Sequence, residues 1–247
     1  MKKTLIALFA LAGMAGAESV GLANMSAVLQ QDVVFSTSSL ITATSTNTPW
    51  HNVSTGTSFT VAFDIANVTL SSGDIFSAAG SNTMAGWDDG LLQIRTDGSN
   101  VVLYNTCGGN DGTKYFDGST RGNPTVSGYS IDLGLTKEAS TTGTTTITLV
   151  SDAAAKTFTA YNNGVQVGQW TNWDTNTGIT GIQFGSRFGG GETIDGSFDY
   201  NHAIIWNRAL TADEVVSTVV APAVPEPASA TLSLLALAGL AMRRRRA

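Results

Sequence analysis

Cysteine and histidine are almost absent from this 247-residue chain, which has Cys107 alone and two histidines, His51 and His202. A single cysteine excludes an intrachain disulfide, so the core must hold the fold without a covalent link. Cys107 is either a small semi-buried residue or a thiol that pairs between chains. It has no cysteine or histidine neighbour at metal-ligand spacing, and the chain contains no G-x-S-x-G, H-E-x-x-H or P-loop string.

Charge is also scarce, at 13% of residues against an ordinary share of roughly 25%. Six of the 13 basic residues lie at the two ends, and residues 18–224 carry a net charge of −11. A domain this acidic repels phosphate backbones, so no nucleic-acid partner is expected. The carboxylates suit Ca²⁺, a hard cation that takes oxygen ligands, although solubility alone also explains them.

The N-terminus has the three parts of a secretory signal peptide. Two lysines are followed by an apolar run from Leu5 to Ala12, and then by the small residues Ala15 and Ala17 of an A-x-A cleavage site. The run is shorter than the roughly 20 residues that span a bilayer. We expect residues 1–17 to be removed during export.

The C-terminus has a Pro-Glu-Pro triplet, an apolar run from Ala228 to Met242 and a basic cluster. The triplet is Pro225, Glu226 and Pro227, and the cluster is Arg243, Arg244, Arg245 and Arg246. The run is marginal as a transmembrane helix, and the arginines favour the cytoplasmic side. Residues 222–247 resemble the PEP-CTERM sorting signal of Gram-negative bacteria. This resemblance implies an exosortase partner, transient inner-membrane anchoring, and delivery to the outer surface or extracellular matrix; the alternative is a plain tail anchor.

The middle of the chain consists of short strands and polar turns. Alternating apolar residues predict strands at 59–65, 74–77, 144–150, 181–185 and 196–206, and turns at Asp97-Gly98 and Asn163-Gly164 predict two hairpins. Thr211 and Glu214 predict a capping box that opens one short helix. We expect Phe198, Ile204 and Trp206 on one face of a strand, Val215 and Val216 closing the end of the sandwich, and Arg208 paired with Asp213 or a carbonyl. The Gly-rich stretch 105–140 is expected to be a long loop.

The strand pattern of residues 145–216 is similar to the end of a laminin-G-like domain. The similarity lies in the runs Ile182–Ser186, Ile194–Tyr200 and Ile204–Val215, and in the hairpin Tyr161–Gly168. It implies that residues 18–221 form one all-β concanavalin A-like jelly-roll sandwich of two antiparallel sheets, with one short C-terminal helix and an apolar tail on each side.

Enzymes of that superfamily place two carboxylates on one strand in an E-x-D-x-x-E string, which this chain lacks. Glu192 and Asp195 are three positions apart, and Asp88 and Asp89 are adjacent, so each pair points to opposite faces of an extended strand. We therefore predict a non-catalytic domain.

Carbohydrate binding needs an aromatic platform beside polar groups. Two polar stretches offer one: the first contains Trp87, Asp88 and Asp89, and the second contains Trp170, Trp173 and Asp174. The alternative is that these tryptophans cover the sandwich edge. Asp88, Asp89 and Asp174 are also the candidate Ca²⁺ ligands.

The function hypotheses are therefore a carbohydrate-binding domain for exopolysaccharide or other glycans, a structural or adhesive matrix protein without a small ligand, and, least favoured, a glycoside hydrolase.

Overall fold

The computed structural model describes residues 22, 25–37, 41–43, 50–80, 90–97, 99–105, 130–136, 144–173, 178–185 and 195–219. The described elements are β1 (Val33–Thr37), β2 (Ile41–Ala43), β3 (His51–Asn52), β4 (Phe59–Ser72), β5 (Asp74–Ala79), β6 (Gly90–Asp97), β7 (Asn100–Asn105), β8 (Ser130–Thr136), β9 (Thr145–Asp152), β10 (Thr157–Asn162), β11 (Val165–Thr171), β12 (Gly181–Phe184), β13 (Asp195–Trp206) and α1 (Ala212–Ser217).

The strands form two antiparallel sheets. The larger sheet has the order β1-β13-β4-β9-β10-β11, with β2 also paired to β13, and the smaller sheet has the order β3-β12-β5-β6-β7-β8. With one short helix beside them, the sheets form the jelly-roll sandwich that the sequence predicted. None of the helices in the described ranges is long and apolar enough to cross a membrane.

Both predicted hairpins are present, and the turn of the second one is determined by its residues. β6 and β7 pair from Asp97 opposite Asn100, next to the turn, to Leu92 opposite Asn105. In the β10–β11 hairpin Asn163 and Gly164 both have positive φ, 49° and 75°, the backbone that a two-residue type I′ turn requires. Asparagine tolerates this region and glycine has no Cβ to oppose it, so the sequence determines this turn directly.

The expectation of a long loop at 105–140 is wrong for residues 130–136, which form β8, and residues 106–129 and 137–140 lie outside the described residues. Its apolar residues Ile131, Leu133 and Leu135 are buried, and Asp132 between them is exposed. This alternation is present in the sequence, but it is short and adjoins a Gly-rich stretch. β8 pairs with β7 and completes the smaller sheet.

The main core lies between the two sheets. On β4 and β9 the residues Val61, Phe63, Ile147 and Leu149 are fully buried in it, as period-two alternation dictates. Aromatic rings join the sheets at the centre. Phe63 of the larger sheet lies 5.2 Å from Phe76 of the smaller one, between ring centroids.

A second apolar cluster covers the outer face of the larger sheet. It contains Leu22 and Leu29 of the N-terminal segment, Ala62, Val150, Ile204 and Trp206 of the sheet, and Leu210 and Val215 at α1. The Trp206 Nε1 donates a hydrogen bond to the Leu29 carbonyl oxygen. The N-terminal segment and α1 therefore form a third layer on this side.

One irregularity in β13 overturns the prediction that Phe198, Ile204 and Trp206 share a face. The pairing of β13 with β4 shifts register between Tyr200 and Ala203. Phe198 therefore belongs to the main core, whereas Ile204 and Trp206 belong to the second cluster. A bulge of this kind moves every following side chain to the opposite face, and composition gives no sign of it.

The predicted capping box is present in α1, but the predicted partner of Arg208 is wrong. Arg208 Nη1 and Nη2 donate to the two Glu214 carboxylate oxygens at 2.8 and 2.9 Å, and its Nε lies 3.7 Å from Asp32 Oδ2. Glu214 reaches Arg208 because the box turns its carboxylate back towards Thr211 N. Val215 is fully buried as predicted, whereas Val216 is 59% exposed and does not help to close the sandwich.

Candidate functional site

The structure buries two of the tryptophans predicted to bind sugar. Trp170 and Trp173 are 1% and 0% exposed, and their rings pack on Phe158 in the main core. The Trp173 Nε1 donates to Ser151 Oγ at 2.9 Å. An enclosed indole has no face for a ligand, so this part of the prediction is wrong. Trp87, Asp88, Asp89 and Asp174 lie outside the described residues.

A row of polar side chains crosses the smaller sheet on its outer face. Direct cross-strand pairs link Gln183 of β12, Ser77 of β5, Gln93 of β6, Tyr104 of β7 and Ser130 of β8. Their sequence neighbours Phe184, Phe76 and Ile94 point into the main core, so by alternation the row points away from it. We call these five residues the polar row.

The middle of the polar row is buried and not fully paired. Ser77 and Gln93 are 0% exposed. Gln93 Nε2 donates to Asp74 Oδ1 at 2.7 Å, but Gln93 Oε1 has no hydrogen-bond partner within the described part of the chain. A buried amide oxygen without a donor costs about 1–3 kcal/mol of stability.

Trp50 lies at the β3 end of the polar row. A Cβ at position 181 would overlap the Trp50 indole, so the ring lies directly against the face of Gly181, two residues from Gln183 on the same strand. The Trp50 Nε1 donates to Asn52 Oδ1 at 3.1 Å. Trp50 is only partly buried, so part of its ring remains accessible, and glycine at 181 is what permits this close packing.

Arg95 lies beside the polar row, on β6, two residues beyond Gln93. Its guanidinium carbon lies 4.2 Å from the centroid of the Tyr104 ring, a cation–π contact. Tyr104 is 6% exposed, whereas Arg95 is partly exposed. Two partly exposed side chains therefore lie beside the polar row, the Trp50 indole next to β12 and the Arg95 guanidinium on β6.

The sequence contained part of this site. In Leu91–Arg95 the polar residues Gln93 and Arg95 alternate with the apolar residues Leu92 and Ile94, which predicts a polar outer face on β6. It could not show that Gln183, 90 positions later, lies on the same row. Trp50 carried no flanking pattern, because β3 has only two residues.

A separate cluster lies on the outer face of the larger sheet. Asp64 is 1% exposed, its Oδ1 accepts from Thr146 Oγ1 at 2.7 Å, and its Oδ2 lies 3.4 Å from His202 Nδ1. Burial raises the pKa of Asp64 above its ordinary value, and the Thr146 hydrogen bond opposes that rise. His202 also lines a cleft of about 320 Å³ together with Met25, Gln30 and Ser36.

No metal-binding site is present among the described residues. Across the described ranges no three side chains of histidine, cysteine, aspartate or glutamate come together to hold an ion. The candidate Ca²⁺ ligands Asp88, Asp89 and Asp174 lie outside those ranges and stay a prediction.

Comparison with known proteins finds similarity in structure only. No protein-family model and no curated protein sequence matches the chain. The NanB sialidase of Streptococcus pneumoniae, in its K499G form, aligns over 77% of this chain at 18% identity and a TM-score of 0.54. The chain spans 29% of the length of that sialidase.

Two further solved structures align less closely. A SAP-like pentraxin from Limulus polyphemus aligns over 72% of this chain and 81% of its own, at 19% identity and a TM-score of 0.45. The CBM40 domain of a Ruminococcus gnavus sialidase, bound to sialyllactose, aligns over 67% and 84%, at 13% identity and a TM-score of 0.43. At such identities the likeness to NanB shows a shared fold.

Proposed function

We propose that this protein is a non-catalytic carbohydrate-binding domain that holds a glycan along the outer face of the smaller sheet. Trp50 and Arg95 carry this proposal, since they are the partly exposed groups beside the polar row, whereas Ser77 and Gln93 in the row are 0% exposed. An indole ring stacks on sugar faces, and a guanidinium donates hydrogen bonds to sugar oxygens. The fold is shared with part of a sialidase, which is consistent with a role in carbohydrate recognition.

The separation of the two accessible groups favours a chain segment over a single sugar. From β3, next to Trp50, to β6, which carries Arg95, there are three strand-to-strand steps, which amounts to about 14 Å. This distance exceeds the width of one pyranose ring. We therefore propose several neighbouring sugar units of a polysaccharide as the ligand.

The carboxylates described on this face support a binding role over hydrolysis. Asp74 of β5 and Asp132 of β8 are three strands apart, about 14 Å. Glycoside hydrolysis by paired carboxylates uses separations of roughly 5 to 9.5 Å. Among the described side chains of the smaller sheet's outer face, these two do not meet that requirement.

We also propose export and sorting, on the sequence alone. The signal at 1–17 would direct the chain out of the cytoplasm, and the segment 222–247 would be recognised by an exosortase. The domain would then act at the outer surface or in the extracellular matrix. A Ca²⁺ ion held by Asp88, Asp89 or Asp174 is part of the same proposal.

The test is a glycan array probed with purified protein, with and without chelator. We expect saturable binding that Trp50→Ala weakens roughly tenfold, because stacking on an aromatic ring supplies about 1 kcal/mol or more. Trp50→Phe should retain most of the affinity, and the exposed Val165→Ser on the larger sheet is the matched control. Failure to bind any glycan would favour the structural or adhesive alternative, and release of sugars would favour a hydrolase.

A further inference from the structure

Among the described residues Arg95 is a cation without a carboxylate partner. The described ion pairs lie elsewhere, between His202 and Asp64 and between Arg208 and its partners Asp32 and Glu214. Within the described ranges Arg95 contacts the Tyr104 ring and forms no ion pair. A partly buried guanidinium loses part of its hydration, so a missing counter-charge leaves its donors available to a ligand.

The Tyr104 ring also orients the guanidinium. Tyr104 is 6% exposed and belongs to the polar row, so its ring is fixed by the sheet. A guanidinium stacked on a fixed ring loses little further freedom when it binds, and its planar fork matches the two oxygens of a carboxylate. The arrangement is therefore pre-organised for an anionic oxygen pair.

Both nearby aspartates are engaged by other groups. Asp74 lies opposite Arg95 across the β5–β6 pair, and its Oδ1 accepts from Gln93 Nε2. Asp132 lies two strands away, and its oxygens accept from Asn100 Nδ2 and Gly134 N, each at 2.8 Å. Neither forms an ion pair with Arg95 among the described residues.

The acidity of the domain does not cancel this attraction. Residues 18–224 have a net charge of −11, which repels anions at long range. Solvent-exposed charges more than about 8 Å apart are screened at physiological salt, whereas a contact pair at a partly buried guanidinium is screened much less. The contact with the Arg95 guanidinium therefore determines whether an anionic or a neutral ligand is preferred.

We propose that the glycan recognised by the polar row is an acidic polysaccharide, and that Arg95 binds a sugar carboxylate. This inference rests on the proposed carbohydrate-binding function. It names the substrate class: uronic-acid-containing chains rather than neutral ones.

The experiment uses an array in which each uronic-acid glycan is printed beside its carboxyl-reduced form, with sulfated dextran as a second anionic probe. We expect acidic glycans to bind, and their reduced forms to bind roughly ten- to a hundredfold more weakly, because hydrogen bonds to a charged group are lost.

Variants assign the effect to Arg95. Arg95→Gln should lower affinity for the acidic form much more than for the reduced form, so that the preference for the acidic form is lost, and Arg95→Lys should keep only part of the preference. Trp50→Ala should weaken both forms alike, and Lys156→Gln, on the β9–β10 turn, is the matched control. Thermal unfolding of each variant checks that it is folded.

The outcomes separate the two proposals. Equal binding of acidic and reduced forms, or a preference for neutral glycans or for sulfated dextran, overturns the acidic-substrate inference and leaves carbohydrate binding in place. Unchanged selectivity in folded Arg95→Gln also overturns it. No binding to any glycan overturns both.

Discussion

Asp64 shows how one buried carboxylate affects stability. Burial raises its pKa in the folded state, so the neutral form is favoured there relative to the unfolded chain. Its contribution to stability is complete below the unfolded pKa, and it is lost as pH rises through the folded pKa. At neutral pH the ionised side chain therefore has a cost that an uncharged one would avoid.

Asp64→Asn should raise the thermal midpoint at pH 7, because asparagine keeps an acceptor for Thr146 Oγ1 and carries no charge. The gain should vanish at about pH 3, where the aspartate is itself protonated. Differential scanning calorimetry from pH 3 to 8 measures this. The exposed Asp213→Asn is the control, and a lower midpoint at pH 7 would show that the His202 contact outweighs burial.

Trp173 tests the reassignment of a predicted ligand-binding residue to the core. Trp173→Phe removes the hydrogen bond to Ser151 Oγ and leaves a small cavity beside Phe158. We expect the free energy of unfolding to fall by about 1–3 kcal/mol, measured by urea denaturation. Glycan affinity of the folded variant should not change; a selective loss of affinity would restore Trp173 to the binding site.

At the level of elements, α1 is stabilised by its cap and by Arg208. The hydrogen bonds from Arg208 lower the pKa of Glu214, so their contribution is present at neutral pH and is lost as pH falls below about 4.5. Both side chains are about a quarter exposed, so solvent screening keeps the pair's contribution small.

Glu214→Gln should lower the free energy of unfolding at pH 7 by about 0.5–1 kcal/mol. A double-mutant cycle with Arg208→Gln gives the coupling energy, which should weaken as pH falls below about 4.5. Coupling that persists there would mean that packing, not charge, holds the helix. Asp213→Asn, one position away in the same turn, serves as the comparison variant.

The sequence predicted those elements whose structure depends on residues close together in the chain. The Asn163-Gly164 turn and the Thr211–Glu214 box each depend on a few neighbouring residues, and both are present. The prediction of which β13 side chains share a face was wrong, because the register shift in β13 depends on its pairing with another strand. The polar row could not be predicted as a unit, because Gln183 and Ser77 are brought together only by the pairing of β12 with β5.

At the scale of the whole molecule, the outer faces of the two sheets differ in what lies on them. The outer face of the larger sheet is covered by the N-terminal segment and α1, and the smaller sheet carries the polar row. Changes on opposite sides of a sandwich share no contacts, so their effects should add.

Leu29→Ala should cost about 2–5 kcal/mol of stability, because Leu29 is 2% exposed within the second cluster. It should leave glycan affinity unchanged. The double variant with Arg95→Gln should show the stability loss of Leu29→Ala and the affinity loss of Arg95→Gln, each unchanged in size. Calorimetry and titration of all four proteins measure this, and a non-additive affinity would show that the two sides communicate.

The second cluster also determines how the domain would sit on a support. Leu22 and Val219, near the two limits of the described chain, both pack on the larger sheet's side, Leu22 against the second cluster and Val219 against Gly164 of the β10–β11 turn. An attachment made through either end of the described chain would hold the domain on the side of the larger sheet. Trp50 and Arg95 would then point away from that support.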